Sequence, residues 1–243
     1  MPFFVIHKKL GETPLQALEG VRAKNNIGKE IPMTYAGRLD PAAEGFLIIL
    51  SGDDVHKKDE YKNLEKIYEV DLIFGLSTDT GDLLGVLKSA QVRCVTKITE
   101  EDLNSVLAKL SGTREQKFHS FSSKPVDGLP LWSHMRENNN VEIPSHTITI
   151  NKISILKDEN ISSSEIFKQV ENITTLVTGD FRQKEILDSW QKIPKNETFQ
   201  KFTIKVSCSS GTYMRVLAEE IGSLLNSPTL ASRIFRKSVG EFK

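Results

Sequence analysis

The sequence predicts an α+β fold around a largely antiparallel sheet, and three observations carry that prediction. Strand-like alternation recurs along the chain, capped helical stripes lie between the strands, and the two do not follow a regular β-α-β order. Phe3 to Ile6 reads as a short strand. Thr13-Pro14-Leu15-Gln16 then has the capping-box pattern, with proline at the first helical position and Leu15, Leu18 and Val21 following, so a helix is expected over about 14 to 24. Phe46 to Leu50 is a continuous apolar run suited to a buried strand.

From Lys66 to Phe74, Tyr68, Val70, Leu72 and Phe74 alternate with Glu69 and Asp71, the period of a half-buried strand with Tyr68 on its core side. Thr99 caps a second helix with Leu103, Val106, Leu107 and Leu110 on one face, and Gly112 terminates it. Alternation resumes over about His146 to Leu156, followed by a helical stripe of Ile166, Val170, Ile173 and Val177. Phe202, Ile204, Val206 and Cys208 mark another strand. A last helix is expected from Thr212 to Leu225, with Leu217, Ile221, Leu224 and Leu225 inward and Pro228 as the stop.

The chain of 243 residues, 38% hydrophobic, has enough apolar material for a substantial core. It contains no repeat, low-complexity tract or evident linker, so one domain over residues 1–243 is expected. The run Phe46 to Leu50 is too short to cross a bilayer and Pro2 to Ile6 too short for a signal-peptide core, which predicts a cytoplasmic protein without a membrane anchor. Cys94 and Cys208 sit in no metal-ligand spacing and predict reduced, packing cysteines rather than a disulfide or zinc site. The charges balance, 32 Lys+Arg against 32 Asp+Glu, so the totals do not point to nucleic acid. Local basic groups nonetheless occur at Lys8-Lys9, Lys57-Lys58 and Arg233 to Lys237.

The segment Gly37-Arg38-Leu39-Asp40-Pro41-Ala42-Ala43-Glu44-Gly45 leads into the apolar strand. Pro41 restricts Asp40 to an extended backbone, which holds its carboxylate on a stiff loop beside Arg38; in isolation, Asp-Pro equally describes a turn. In context this stretch resembles the GxLDPxAxG aspartate motif of the TruB-type pseudouridine synthases. Upstream, Lys8-Lys9-Leu10-Gly11-Glu12-Thr13 is similar to the family's K-P-x-G-x-T segment, with Lys9 replacing the proline. Downstream, Lys66-Ile67-Tyr68 and Gly75-Leu76-Ser77-Thr78-Asp79-Thr80-Gly81-Asp82 resemble the K-x-Y strand and the G-x-x-T-D-T-x-D turn. Cys208-Ser209-Ser210-Gly211-Thr212-Tyr213-Met214-Arg215 resembles the C-S-x-G-T-Y-x-R block, and Val239-Gly240-Glu241-Phe242 the V-G-x-F ending. These blocks cover nearly the whole chain.

The resemblance implies a pseudouridine synthase fold and an isomerase that needs no cofactor or metal. It implies conversion of uridine to pseudouridine at position 55 in the T-loop of tRNA, by a monomer with no protein partner. Asp40 is the implied catalytic residue, Tyr68 the aromatic against which an extruded base stacks, and Arg215 the partner of Asp40; Tyr35, Arg38 and Tyr213 complete the implied substrate-binding set. Tyr35 replaces the family's usual histidine, Phe118-His119 a proline-containing pair and Trp132 a common tyrosine, changes that bear on target choice more than on the carboxylate. The chain stops directly after the V-G-x-F block, so no C-terminal PUA-type RNA-binding domain is expected, and tRNA binding should be weaker or more salt-sensitive for it. Two other readings are a non-catalytic RNA-binding or tRNA-folding protein and a hydrolase using Asp79 and Asp82. The Thr-Asp-Thr-Gly-Asp setting reads more simply as a turn whose side chains bond backbone amides.

Overall fold

The alternating stretches collect into one twisted sheet in the computed structural model, which describes residues 3–90, 97–137 and 139–243. The first part of the chain forms β1 (Phe3–Lys8), α1 (Pro14–Lys24), β2 (Met33–Ala36), β3 (Ala43–Ser51), a 3-10 turn at Gly52–Lys57, α2 (Lys58–Asn63) and β4 (Lys66–Phe74). A small hairpin of β5 (Leu76–Thr78) and β6 (Leu87–Ala90) follows, then α3 (Glu100–Leu110), β7 (Gly112–Lys117), the short pair β8 (Pro125–Val126) and β9 (Leu129–Pro130), and α4 (Leu131–Arg136). The remainder forms β10 (Ser145–Ser162), α5 (Ser163–Leu176), α6 (Gln183–Trp190), β11 (Thr198–Cys208), α7 (Met214–Leu224) and β12 (Thr229–Val239).

The main sheet runs β1-β3-β12-β4-β11-β10-β7, with β2 also paired to β3. Its pairs are antiparallel except β3 with β12, which run parallel, so the sheet is mixed but largely antiparallel, as expected. Tyr68, Val70, Leu72 and Phe74 of β4 face the same side as Phe202, Ile204, Val206 and Cys208 of β11, and α3 and α7 cover that side. The opposite parity, Ile73 and Phe199, packs under α5 and α6, where Trp190 is fully buried and its indole N–H donates to the Gly85 carbonyl at 2.8 Å. Cys208 is a free, buried cysteine; Cys94 lies outside the described residues.

Local chemistry explains the boundaries. The Thr13 hydroxyl accepts from the Gln16 amide at 3.2 Å and the Gln16 side chain accepts from the Thr13 amide at 2.7 Å, so α1 begins at Pro14. The last helix starts at Met214 rather than Thr212, because Tyr213 is extended and serves as its N-cap. Gly112 is not the helix terminator but the first residue of β7; the helix ends at Leu110. The strand expected at His146 to Leu156 extends to Ser162, with register shifts between Ile150 and Lys152 and between Ile155 and Lys157 that blur the period-2 pattern.

The sequence pattern does not announce β12. Two further register shifts, between Ala231 and Arg233 and between Arg236 and Ser238, move its inward parity, and three basic residues interrupt its apolar run. Its closeness to β3 also explains Gly45: at φ +117, a Cβ there would collide with the backbone of Arg236.

Candidate active site

Asp40 stands on the loop joining β2 to β3, and that loop is pinned from three sides. The Gly11 amide donates to the Pro41 carbonyl and the Ala43 amide to the Asp40 carbonyl, each at 2.9 Å. Beneath it lies Arg236 of β12, 1% exposed, whose guanidinium donates to the carbonyls of Phe46 at 2.7 Å, Arg38 at 3.1 Å and Gly37 at 3.4 Å. Lys8 and Lys66 are buried nearby and also bond carbonyls: Lys8 those of Lys9 at 2.9 Å and Glu12 at 2.7 Å, Lys66 those of Lys62 and Leu64. Burial pushes both ammonium groups down to about 8.

Facing the loop is the start of α7. The buried Gln116 side chain grips the peptide of Tyr213, accepting from its amide at 2.8 Å and donating to its carbonyl at 3.2 Å. This fixes the first turn, from which Arg215 projects into the protein, 4% exposed, rather than out to solvent. Its Nη2 lies 2.7 Å from Asp40 Oδ2, and its Nε 3.6 Å from Asp82 Oδ2. The guanidinium also donates to the Thr80 carbonyl at 2.8 Å, His119 Nδ1 at 3.2 Å and the Phe121 carbonyl at 3.4 Å. Asp82 is itself buried; its Oδ1 accepts from the Thr80 hydroxyl at 2.8 Å and the Leu84 amide at 2.9 Å. Burial raises its pKa to about 6, against the pull of Arg215.

Asp40 and Arg215 open onto a cavity of about 520 Å³, and Tyr35, Arg38, Tyr68 and Tyr213 line the same space. All six residues singled out in the sequence are therefore brought together. Tyr68, at the cavity end of β4, is buried, and that burial raises the pKa of its phenol against the pull of the nearby Arg236 cation. Across the cavity Phe118 stacks on His146 with centroids 4.2 Å apart, and Tyr213 stands edge-on to both. Lys58, Lys62, Lys124 and Arg38 supply positive charge around this aromatic wall, with the Lys58 ammonium 5.9 Å from the Tyr35 ring centroid. A second cavity of about 400 Å³ adjoins it, sharing Asp40 and Arg215 and lined by Leu15, Trp132 and Phe181. Such a mixture of cations and aromatic faces suits an unstacked nucleotide.

Sequence reasoning did not reach Arg236, Lys8 and Lys66 as supports of the loop, nor Asp82 and His119 as partners of Arg215. Asp82 is a turn residue, as its Thr-Asp-Thr-Gly-Asp setting suggests; nothing in the spacing shows that its second oxygen faces an arginine 133 positions away. Asp79 is likewise committed, its carboxylate accepting from the Val86 amide at 2.8 Å and pairing with Arg182 at 2.7 Å. The hydrolase reading therefore loses both of its carboxylates to structural bonds.

Comparison with known proteins agrees with this geometry. The family model described as TruB family pseudouridylate synthase (N terminal domain) matches residues 25–174. The chain is 32% identical over 239 residues to a tRNA pseudouridine synthase B of Bacillus cereus and 31% identical to one of Bacillus anthracis, in each case over 98% of this chain. It spans 66% of the length of each of these curated relatives. In structure it is similar to a chain of a Cbf5-Nop10-Gar1 complex, with a TM-score of 0.61 at 15% identity, covering 100% of this chain and 50% of that one. A chain of an H/ACA RNP bound to a substrate RNA containing 2'-deoxyuridine gives 0.58 at 14%, covering 48% of that chain. The aspartate loop, the arginine that meets it and the pseudouridine synthase sheet thus agree with a match over most of the sequence: the chain belongs to the TruB family of pseudouridylate synthases.

Proposed function

We propose that this protein converts uridine to pseudouridine in tRNA, at position 55 of the T-loop, acting in the cytoplasm as a single chain with Asp40 as its catalytic carboxylate. The observation that carries the reading is the 2.7 Å contact between Asp40 and the buried Arg215 at the mouth of an aromatic-lined cavity. In the reaction the bond from N1 of the base to the ribose C1′ breaks, the base turns, and C5 bonds to C1′. C5 loses its hydrogen and N1 gains one, so no external reactant is consumed. The uridine must first leave its stack, and the side of Tyr68 facing the cavity offers it a new face. Asp40 acts as nucleophile or as stabiliser of positive charge on the ribose, while Arg215 holds the carboxylate still. That the bacterial relatives are tRNA pseudouridine synthases supports tRNA as the substrate.

The test is to incubate the protein with an unmodified tRNA transcript and map pseudouridine. One product in the T-loop is the expected result; product elsewhere would point to a different RNA target. Asp40→Asn should abolish turnover and leave tRNA binding largely intact, and appreciable pseudouridine from that variant would refute the assignment. Tight tRNA binding by the unaltered protein without product in any RNA would leave a binding or tRNA-folding protein as the reading.

A further inference from the structure

The guanidinium of Arg215 meets five acceptor groups, two as ion pairs and three through N–H hydrogen bonds. Four of the acceptors are oxygens, on Asp40, Asp82, Thr80 and Phe121. The fifth is a ring nitrogen: His119 Nδ1, 3.2 Å from Arg215 Nη1. That nitrogen also accepts from the Phe121 amide at 3.0 Å. Neither donor can become an acceptor, since an amide keeps its hydrogen and an arginine its charge. Nδ1 must therefore be bare, and the ring proton must sit on Nε2, which lies 3.6 Å from Glu219 Oε1.

The groups converge on Gly81. A Cβ there would lie 3.0 Å from Glu219 Oε1 and 3.3 Å from both Arg215 Cβ and His119 Nε2, so the turn makes room for them by carrying no side chain. His119 is 3% exposed, and it is faced by the Arg215 cation, the Glu219 carboxylate and, farther off, Asp40. Burial and Arg215 together lower its pKa, against the opposite pull of Glu219 and Asp40.

We propose that His119 is a positioning residue for the catalytic carboxylate: its neutral ring accepts a hydrogen bond from Arg215 and so fixes the plane in which the guanidinium holds Asp40. A guanidinium is a rigid fork, and displacing one prong rotates the others. Without the acceptor at Nδ1, Nη1 keeps only the Thr80 carbonyl and the fork can turn away from Asp40. Protonation of His119 would have the same effect, since it places an N–H and a second positive charge against Arg215. This inference rests on the function proposed above.

Four measurements test it. His119→Leu removes the acceptor and keeps an apolar side chain of moderate size. It should lower the single-turnover rate by about 10²-fold, the scale of a small misplacement of a reacting group, without weakening tRNA binding. His119→Asn, whose side-chain oxygen stands where Nδ1 was, should restore most of that rate. The rate of the unaltered protein should also fall as pH drops through the lowered pKa of His119, and this limb should be absent from the Asn variant. A Leu variant at full rate, or an Asn variant no better than Leu, would overturn the proposal.

Nitrogen NMR of the unaltered protein gives a readout independent of activity and of any variant's folding. At neutral pH it should show the His119 proton on Nε2; a proton on Nδ1 would overturn the proposal whatever the kinetics. If that tautomer is found but no RNA yields pseudouridine, the contact stands and it is the proposed reaction that fails.

Discussion

Two arginines are buried against the loop that carries Asp40, and their surroundings are opposite in kind. Arg215 keeps 4% of its surface and faces the carboxylates of Asp40 and Asp82. Arg236 keeps 1% and bonds the carbonyls of Gly37, Arg38 and Phe46, with the cations Lys8 and Lys66 close enough that it helps to depress both. One guanidinium therefore holds the Asp40 side chain and the other holds the backbone beneath it. The difference separates two requirements of a fixed carboxylate: an opposite charge to aim it and a stiff chain to mount it.

Breaking the first arrangement should have the largest effect. Arg215→Met leaves Asp82 buried with no cation and should lower the unfolding free energy by about 3–5 kcal/mol, as removal of one partner from a buried ion pair does. Turnover should be lost with it. Arg215→Lys keeps a charge but not the planar fork, so denaturant unfolding should show a smaller loss while the single-turnover rate still falls by about 10²-fold. A Met variant as stable as the unaltered protein would show that Asp82 does not depend on this cation.

Arg236→Met should do less, for a reason specific to its neighbours. The carbonyls of Gly37, Arg38 and Phe46 lose their side-chain donor, at a cost of about 1–3 kcal/mol for a buried acceptor left unpaired. Removing Arg236 also relieves its repulsion of Lys8 and Lys66, which offsets part of that cost. The rate should fall because the loop loosens, with tRNA binding weakened as well, since a cation leaves the cavity floor. Were this variant less stable than Arg215→Met, the division between aiming and mounting would have to be reversed.

The same contrast shows what could be read in the sequence. Asp40, Tyr68 and Arg215 lie in contiguous blocks whose pattern is visible in one dimension, and β4, β11 and α1 announce themselves by period and cap. Arg236 is invisible by comparison, because it sits on a strand whose two register shifts hide its inward parity. Lys8 and Arg236 stand out only as members of separate basic groups and Lys66 only in the K-x-Y block, and nothing in one dimension, least of all a total of 32 basic against 32 acidic residues, shows that the three meet under one loop. His119 and Asp82 matter only through Arg215, 96 and 133 positions away, and such contacts exist only once the sheet has brought α7 against the turn at Gly81.

Asp82 offers the finest probe of the paired side, because burial and Arg215 act on it in opposite directions and burial prevails, lifting its pKa from 3.8 to about 6. A raised folded-state pKa means that the folded chain holds this proton more tightly than the unfolded chain does. Its contribution to stability is therefore complete below pH 3.8, declines as pH rises through about 6, and stays constant above that. Asp82→Asn removes the titration while keeping an oxygen for the Thr80 hydroxyl and the Leu84 amide. The difference in unfolding free energy between the unaltered protein and this variant should shift toward the variant across that pH window and level off beyond it. Turnover at neutral pH should fall by less than about tenfold, or 1.4 kcal/mol of activation free energy, because the Arg215 contact to Asp40 survives. A difference that stays flat across the window would mean that Arg215 outweighs burial after all, and Asp82 would then be a full second anchor of the guanidinium rather than a strained one.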